Sequence, residues 1–152
     1  MSIAVRLPDD SLRQLPEGAT GTDQAAGIGP RLLEAALAIK QDGVLSDLKA
    51  PLRDGARIEI VTAKSEESLE LIRHSTAHLL AHAVKRLFPN AKVGIGPVIE
   101  DGFYYDFQVE KPFTPEDLAV IEAEMRKIVS EGVEVVREDL DRDEAVARFG
   151  AM

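Results

Sequence analysis

The chain has 152 residues, 45% of them hydrophobic and 30% charged, with a formal net charge of −9 and no cysteine. That length accommodates one ordinary domain or two small ones, and without cysteine it can form neither a disulfide nor a thiolate zinc site of its own. The acidic total argues against a diffuse nucleic-acid surface, and the apolar runs are too short to span a bilayer, so no membrane partner and a cytoplasmic location are expected.

The charge is uneven. Residues 1–62 carry nine acids and seven bases, whereas residues 63–152 carry eighteen acids and eleven bases. A nucleic-acid partner would therefore need its basic contacts gathered locally.

In chain order, "IAVRLP", the turn "PDDS" and "LRQLP" predict a hairpin. "TGTDQAAGIG" predicts a short helix with a threonine cap and glycines at its end. "AALAIKQDGVLSDL" places the turn pair Asp42-Gly43 between two apolar segments. "LRDGARIEIVT" adds another Asp-Gly turn and the alternating strand Ile58-Glu59-Ile60-Val61. Four or five strands with one helix in about sixty residues point to an α+β roll whose last strand pairs back into the sheet. This part holds no histidine and no nucleophile paired with a base.

The polar stretch "TAKSEES" joins the two modules, and a long helix is predicted from about Glu66 to Phe88, with Ser65 as its cap and Pro89 as its stop. Ile72, Leu79, Leu80, Ala83 and Leu87 form its expected core stripe. "AKVGIGPVIEDGFYYDFQV" reads as two strands turning at Glu100-Asp101-Gly102. In its second arm Phe103, Tyr105, Phe107 and Val109 share one face, and Tyr104, Asp106 and Gln108 share the other. "FTPEDLAVIEAEMRKIVSEG" predicts a helix capped by Thr114, opened by Pro115 and stopped by Gly132. "VEVVRED" reads as a strand, and "DRDEAVARFGAM" as the start of a short helix with no completed element after Gly150.

All three histidines lie on the long helix, at positions 74, 78 and 82. Four residues return a helix to nearly the same side, so they form one slowly turning stripe, roughly opposite the aliphatic one. His74 and His82 are separated by about 12 Å of rise, while metal–nitrogen bonds are about 2 Å. A single ion could therefore take two of them but not three. Spacing alone leaves three readings: a solvated polar face, a catalytic or substrate-binding cluster, or a two-histidine metal site needing a carboxylate such as Asp101 or Asp106. The helix lacks the glutamate of the H-E-x-x-H pattern.

"RHSTAHLLAHAVKRLFP" followed by "VGIGPVIEDGFYYDF" resembles the start of the editing domain of the bacterial threonyl-tRNA synthetase family. The preceding sixty residues, with "LPDDSLRQLPEGAT" and "LSDLKAPLRDGARIEIVTAKSEES", resemble that family's TGS domain, a ubiquitin-like β-grasp. The resemblance implies an α+β protein with a TGS-like domain at residues 1–63 and the first part of a tRNA-editing domain at residues 64–152. It further implies His74 and His78 as catalytic residues, with Gly96, Tyr105 and His82 binding the substrate. The partner would be the acceptor end of tRNA(Thr) carrying serine, and the reaction hydrolysis of the mischarged ester. No metal is assigned to this site, and no cofactor to these residues. ATP, Mg and Zn would belong to an aminoacylation core, and dimerisation of the parent enzyme to other regions, both beyond Met152.

The family completes the pocket with a cysteine and a histidine from a later segment, so weak or no editing and no tRNA charging are expected from these residues alone. Two alternatives are a free-standing RNA-binding or regulatory module without catalysis, because β-grasp domains of this type also occur in GTPases and stringent-response enzymes, and a metal-dependent hydrolase.

Overall fold

The computed structural model describes residues 1–150; the last two positions of the second predicted module lie outside the described residues. Two compact units are present, Met1–Ile72 and Arg73–Met152.

In the first unit β1 (Ser2–Arg6) and β2 (Leu12–Pro16) form the expected antiparallel hairpin, with Ser2 opposite Pro16 and Arg6 opposite Leu12. The turn is held by Asp9, whose Oδ1 accepts from both the backbone N–H and the hydroxyl of Ser11; these bonds hold its carboxyl below the usual range. Helix α1 (Gly21–Ile28) opens on a reciprocal box, in which the Thr20 hydroxyl accepts from Asp23 N–H and the Asp23 carboxylate accepts from Thr20 N–H. A second short helix, α2 (Pro30–Ala35), follows where the sequence reading placed none, with Pro30 in its first turn.

Strands β3 (Ala36–Gln41) and β4 (Val44–Ser46) meet at Asp42 and Gly43, with φ of 52° and 80°. Two successive positive φ values match the twist of a tight hairpin, which is why Asp-Gly signals one. Strand β5 (Ile58–Thr62) runs antiparallel to β3 and gives the order β4-β3-β5. One parallel bridge, Arg6 with Arg57, sets β1 beside the chain entering β5, and Arg6 N–H donates to Ala56 O at 2.9 Å. The first strand thus lies against the last, as a β-grasp requires. Ile3, Val5, Ile39, Leu52, Ala56 and Ile58 fill the core. The buried Gln41 amide is satisfied, donating to Pro51 O at 3.1 Å and accepting from Arg53 N–H at 3.0 Å. Lys40 on β3 pairs with Glu67, and less closely with Glu59 at 3.7 Å.

Helix α3 (Ser68–Leu87) begins three residues after Ser65, whose Oγ turns back to accept from Thr62 N–H. Its buried residues in the second unit are Ala77, Ala83 and Val84, with Leu79, Leu80 and Leu87 half-buried. Ile72, expected in the core stripe, is 47% exposed. Helix α4 (Pro115–Glu131) carries the predicted Thr114 cap, which forms a reciprocal box with Asp117, and ends at Gly132 with φ 61°. It contributes Ile121 and Ile128 to the second core, which Phe88, Phe107, Val109 and Phe113 complete.

The two predicted arms between these helices form two short ladders. β6 (Lys92–Val93) pairs with β9 (Phe107–Gln108), and β7 (Val98–Ile99) with β8 (Gly102–Phe103). The face assignment holds: Phe103, Tyr105, Phe107 and Val109 are half-buried, whereas Tyr104, Asp106 and Gln108 are exposed. Residues 133–140 are not a strand. "VEVVRED" has the alternation of one, but it joins no ladder among the described residues, and Val135 is 85% exposed. Helix α5 (Arg142–Phe149) follows, capped by Asp141.

Candidate functional site

Helix α3 sets the histidines because its aliphatic side is drawn into the second core and leaves the opposite side in solvent. His74 and His78 stand one turn apart with their Nε2 atoms 2.9 Å from each other. Their rings meet edge to face, with centroids 4.6 Å apart and planes at 76°. At that separation one Nε2 carries a proton and donates it to the lone pair of the other. The pair is therefore a hydrogen-bonded couple rather than two independent side chains.

His82, the next in the stripe, bonds elsewhere: Arg86 Nε donates to His82 Nε2 at 3.2 Å. Arg86 is also held by α4, with Nη1 and Nη2 donating to the two Glu131 oxygens at 3.0 and 2.8 Å and Nη1 to Glu124 at 3.2 Å. Glu131, then Glu124, push the guanidinium further up, and Arg86 holds the Glu131 carboxyl below its usual range.

Between these elements lies a groove of about 480 Å³. Ser75, His78, Leu79 and His82 form one wall; Ile128, Val129, Gly132, Val133 and Val135 form the other. His78 and His82 thus open onto a mostly apolar groove, while His74 stands behind His78. The second wall was not foreseen, because it is made by the end of α4 and by the stretch read as a strand. The spacing of Glu124 and Glu131, seven apart on one helix face, was the available signal for the Arg86 contact.

Gly96 and Tyr105 are brought together, but neither lines this groove. A Cβ at Gly96 would fall within the Tyr105 ring. Tyr105 in turn stacks on Phe107, with centroids 4.8 Å apart and planes at 17°. The backbone beside them is tied by Gly94 N–H to Asp106 O at 2.8 Å and Asp106 N–H to Ile95 O at 2.9 Å. Arg73, just before the histidine pair, donates to Glu100 O at 2.6 Å and to Ile99 O at 3.3 Å, anchoring the β7–β8 tip to α3. Among the described residues no three or more histidine, aspartate or glutamate side chains are grouped to hold a metal ion. Asp101 and Asp106 do not complete such a set. No helix among the described residues is long and apolar enough to cross a membrane.

Residues 3–62 match the TGS domain family. The whole chain is 57% identical over 150 residues to threonine–tRNA ligase of Citrifermentans bemidjiense, covering 99% of this chain and 24% of that protein. Threonine–tRNA ligases of Pelobacter propionicus and Oceanobacillus iheyensis are 53% and 51% identical over 151 and 147 residues, covering 99% and 97% of the chain and 24% and 23% of those proteins. The chain spans about a quarter of the length of the relatives it matches. Along almost all of its length it is therefore similar to the N-terminal part of bacterial threonine–tRNA ligases, with the TGS match at its start.

Proposed function

We propose that residues 64–152, following the TGS domain, supply the first part of a pocket that hydrolyses serine from mischarged tRNA(Thr) in a cytoplasmic synthetase. The need for such a pocket is physical. A site shaped for threonine gains only about 1–3 kcal/mol from its extra methyl group and cannot reject serine strongly. Errors are then removed by attack of water on the aminoacyl ester, a reaction in which imidazole is well suited to move the proton.

The observation that carries this reading is the coupled His74–His78 pair beside an open groove. His78 faces the groove and is placed to orient water or the ester, and His74 holds it through their Nε2–Nε2 hydrogen bond. His82 supplies a second polar group on the same wall. Gly96 and Tyr105 belong to an adjacent packed unit, which would meet the seryl group or the terminal adenosine only if the pocket extends toward it. The partner is the acceptor end of tRNA(Thr). Dimerisation is assigned to other regions of the whole enzyme, and no metal or other cofactor is assigned to this pocket.

The test is deacylation of seryl-tRNA(Thr) by the protein as its own cells make it, wild type against His78→Ala. A loss of about 10²- to 10⁴-fold is expected for removal of a proton-transfer group, with threonyl-tRNA(Thr) spared by both proteins. An unchanged rate in the variant would sink the reading.

A further inference from the structure

His82 differs from the other two histidines in having an arginine, not an imidazole, at its Nε2. A guanidinium has five N–H donors and no acceptor. Its Nε can only donate, so His82 Nε2 must offer a lone pair and the ring proton must sit on Nδ1. The reverse tautomer, ordinarily favoured for a free imidazole, would set N–H against N–H.

The arginine is not free to turn away. Glu131 grips both of its terminal nitrogens at 2.8 and 3.0 Å, and Glu124 takes Nη1 at 3.2 Å. A fork held at two nitrogens fixes its plane, and hence the direction of Nε–H. The charged and titratable groups around His82 are then His78 one turn back on α3, Arg86 one turn on, and Glu124, Lys127 and Glu131 across on α4.

We propose that Arg86 is a positioning residue that locks His82 as the Nδ1–H tautomer, presenting a hydrogen-bond donor on the groove wall for an oxygen of the bound ligand. The same fork fastens α3 to the last turn of α4, from which Val133 and Val135 continue as the opposite wall. One side chain therefore sets both the polarity of His82 and the position of the surface facing it. The tautomer follows from the hydrogen bonds alone; its use on an ester oxygen rests on the hydrolytic reading above.

The experiment is a two-bond ¹H–¹⁵N correlation of the imidazole rings in the ¹⁵N-labelled 152-residue chain, at a mildly alkaline pH where neutral imidazole dominates. His82 of the wild type should show the Nδ1–H pattern. Arg86→Met keeps an unbranched side chain but has no N–H to donate, and should convert His82 to the Nε2–H pattern while His74 and His78 keep theirs. A wild-type His82 in the Nε2–H form, or a persistent Nδ1–H form in Arg86→Met, overturns the proposal. Should Arg86→Met fail to fold, the wild-type spectrum still decides. No tRNA is present in this measurement, so failure of the deacylation assay leaves its outcome distinct.

Discussion

A hydrogen bond between two imidazoles is a small object with a firm consequence. One of His74 and His78 donates its Nε2 proton to the other across 2.9 Å, so replacing either leaves its partner without that bond. The i, i+4 spacing predicted that they could meet, and they do. It could not predict that His82 would instead be taken by Arg86, because that choice depends on two acids more than thirty residues away. Gly96 is a second position where a single residue decides local geometry. The Tyr105 ring occupies the space a Cβ would need, and stacking on Phe107 prevents that ring from yielding cheaply. Gly96→Ala should therefore cost about 1–3 kcal/mol, as overpacking does. The loss should be read from the urea midpoint, together with a change in the ring-current shifts of Phe107. A variant as stable as the wild type, with unchanged shifts, would mean that the Tyr105 ring does not occupy that space in solution.

At the scale of elements, the clamp between α3 and α4 has a defined acid response. Arg86 depresses the Glu131 pKa in the folded chain, so this contribution to stability is complete above the unfolded glutamate range and fades as pH falls through the folded value. Glu131→Gln should be less stable than wild type near neutrality, and the difference should shrink as the solution is acidified below the usual glutamate range. Thermal melts of both proteins across that window would show it, and a gap that stays constant would contradict it. The groups are partly exposed and screened, so the effect is modest.

Local signals were read well at this scale. Thr20 and Thr114 cap where a threonine precedes an acid by three residues, and Asp42-Gly43 turns where strand must meet strand. "VEVVRED" failed because alternation reports only a preference; a strand exists only beside a partner, and this segment joins no ladder among the described residues. Ile72 failed for a similar reason, since helical periodicity gives a face but not where along the helix that face is covered.

For the molecule as a whole, the order of modules was legible because turns, caps and the histidine helix each carry their own chemistry. The groove was not, because its two walls lie about fifty residues apart in sequence and no local pattern joins them. The same separation shapes the first unit. Its β1–β2 and β3–β4 hairpins are local, but β1 meets the chain entering β5 through partners some fifty residues away: the Arg6–Arg57 bridge, Gly55 N–H to Ala4 O at 2.8 Å and Ala4 N–H to Asp54 Oδ1 at 2.8 Å. Closing a loop of that length costs chain entropy before any long-range contact compensates, which slows assembly. Both hairpins should accordingly form early, with β1 joining the chain before β5 only once residues 54–57 are in place. Pulse-labelled hydrogen exchange during refolding should protect the Gln41 and Val44 amides before that of Arg6, whose acceptor is Ala56 O; simultaneous protection would refute this order. During synthesis on a ribosome, β1 would then wait with one edge open until some fifty further residues have emerged.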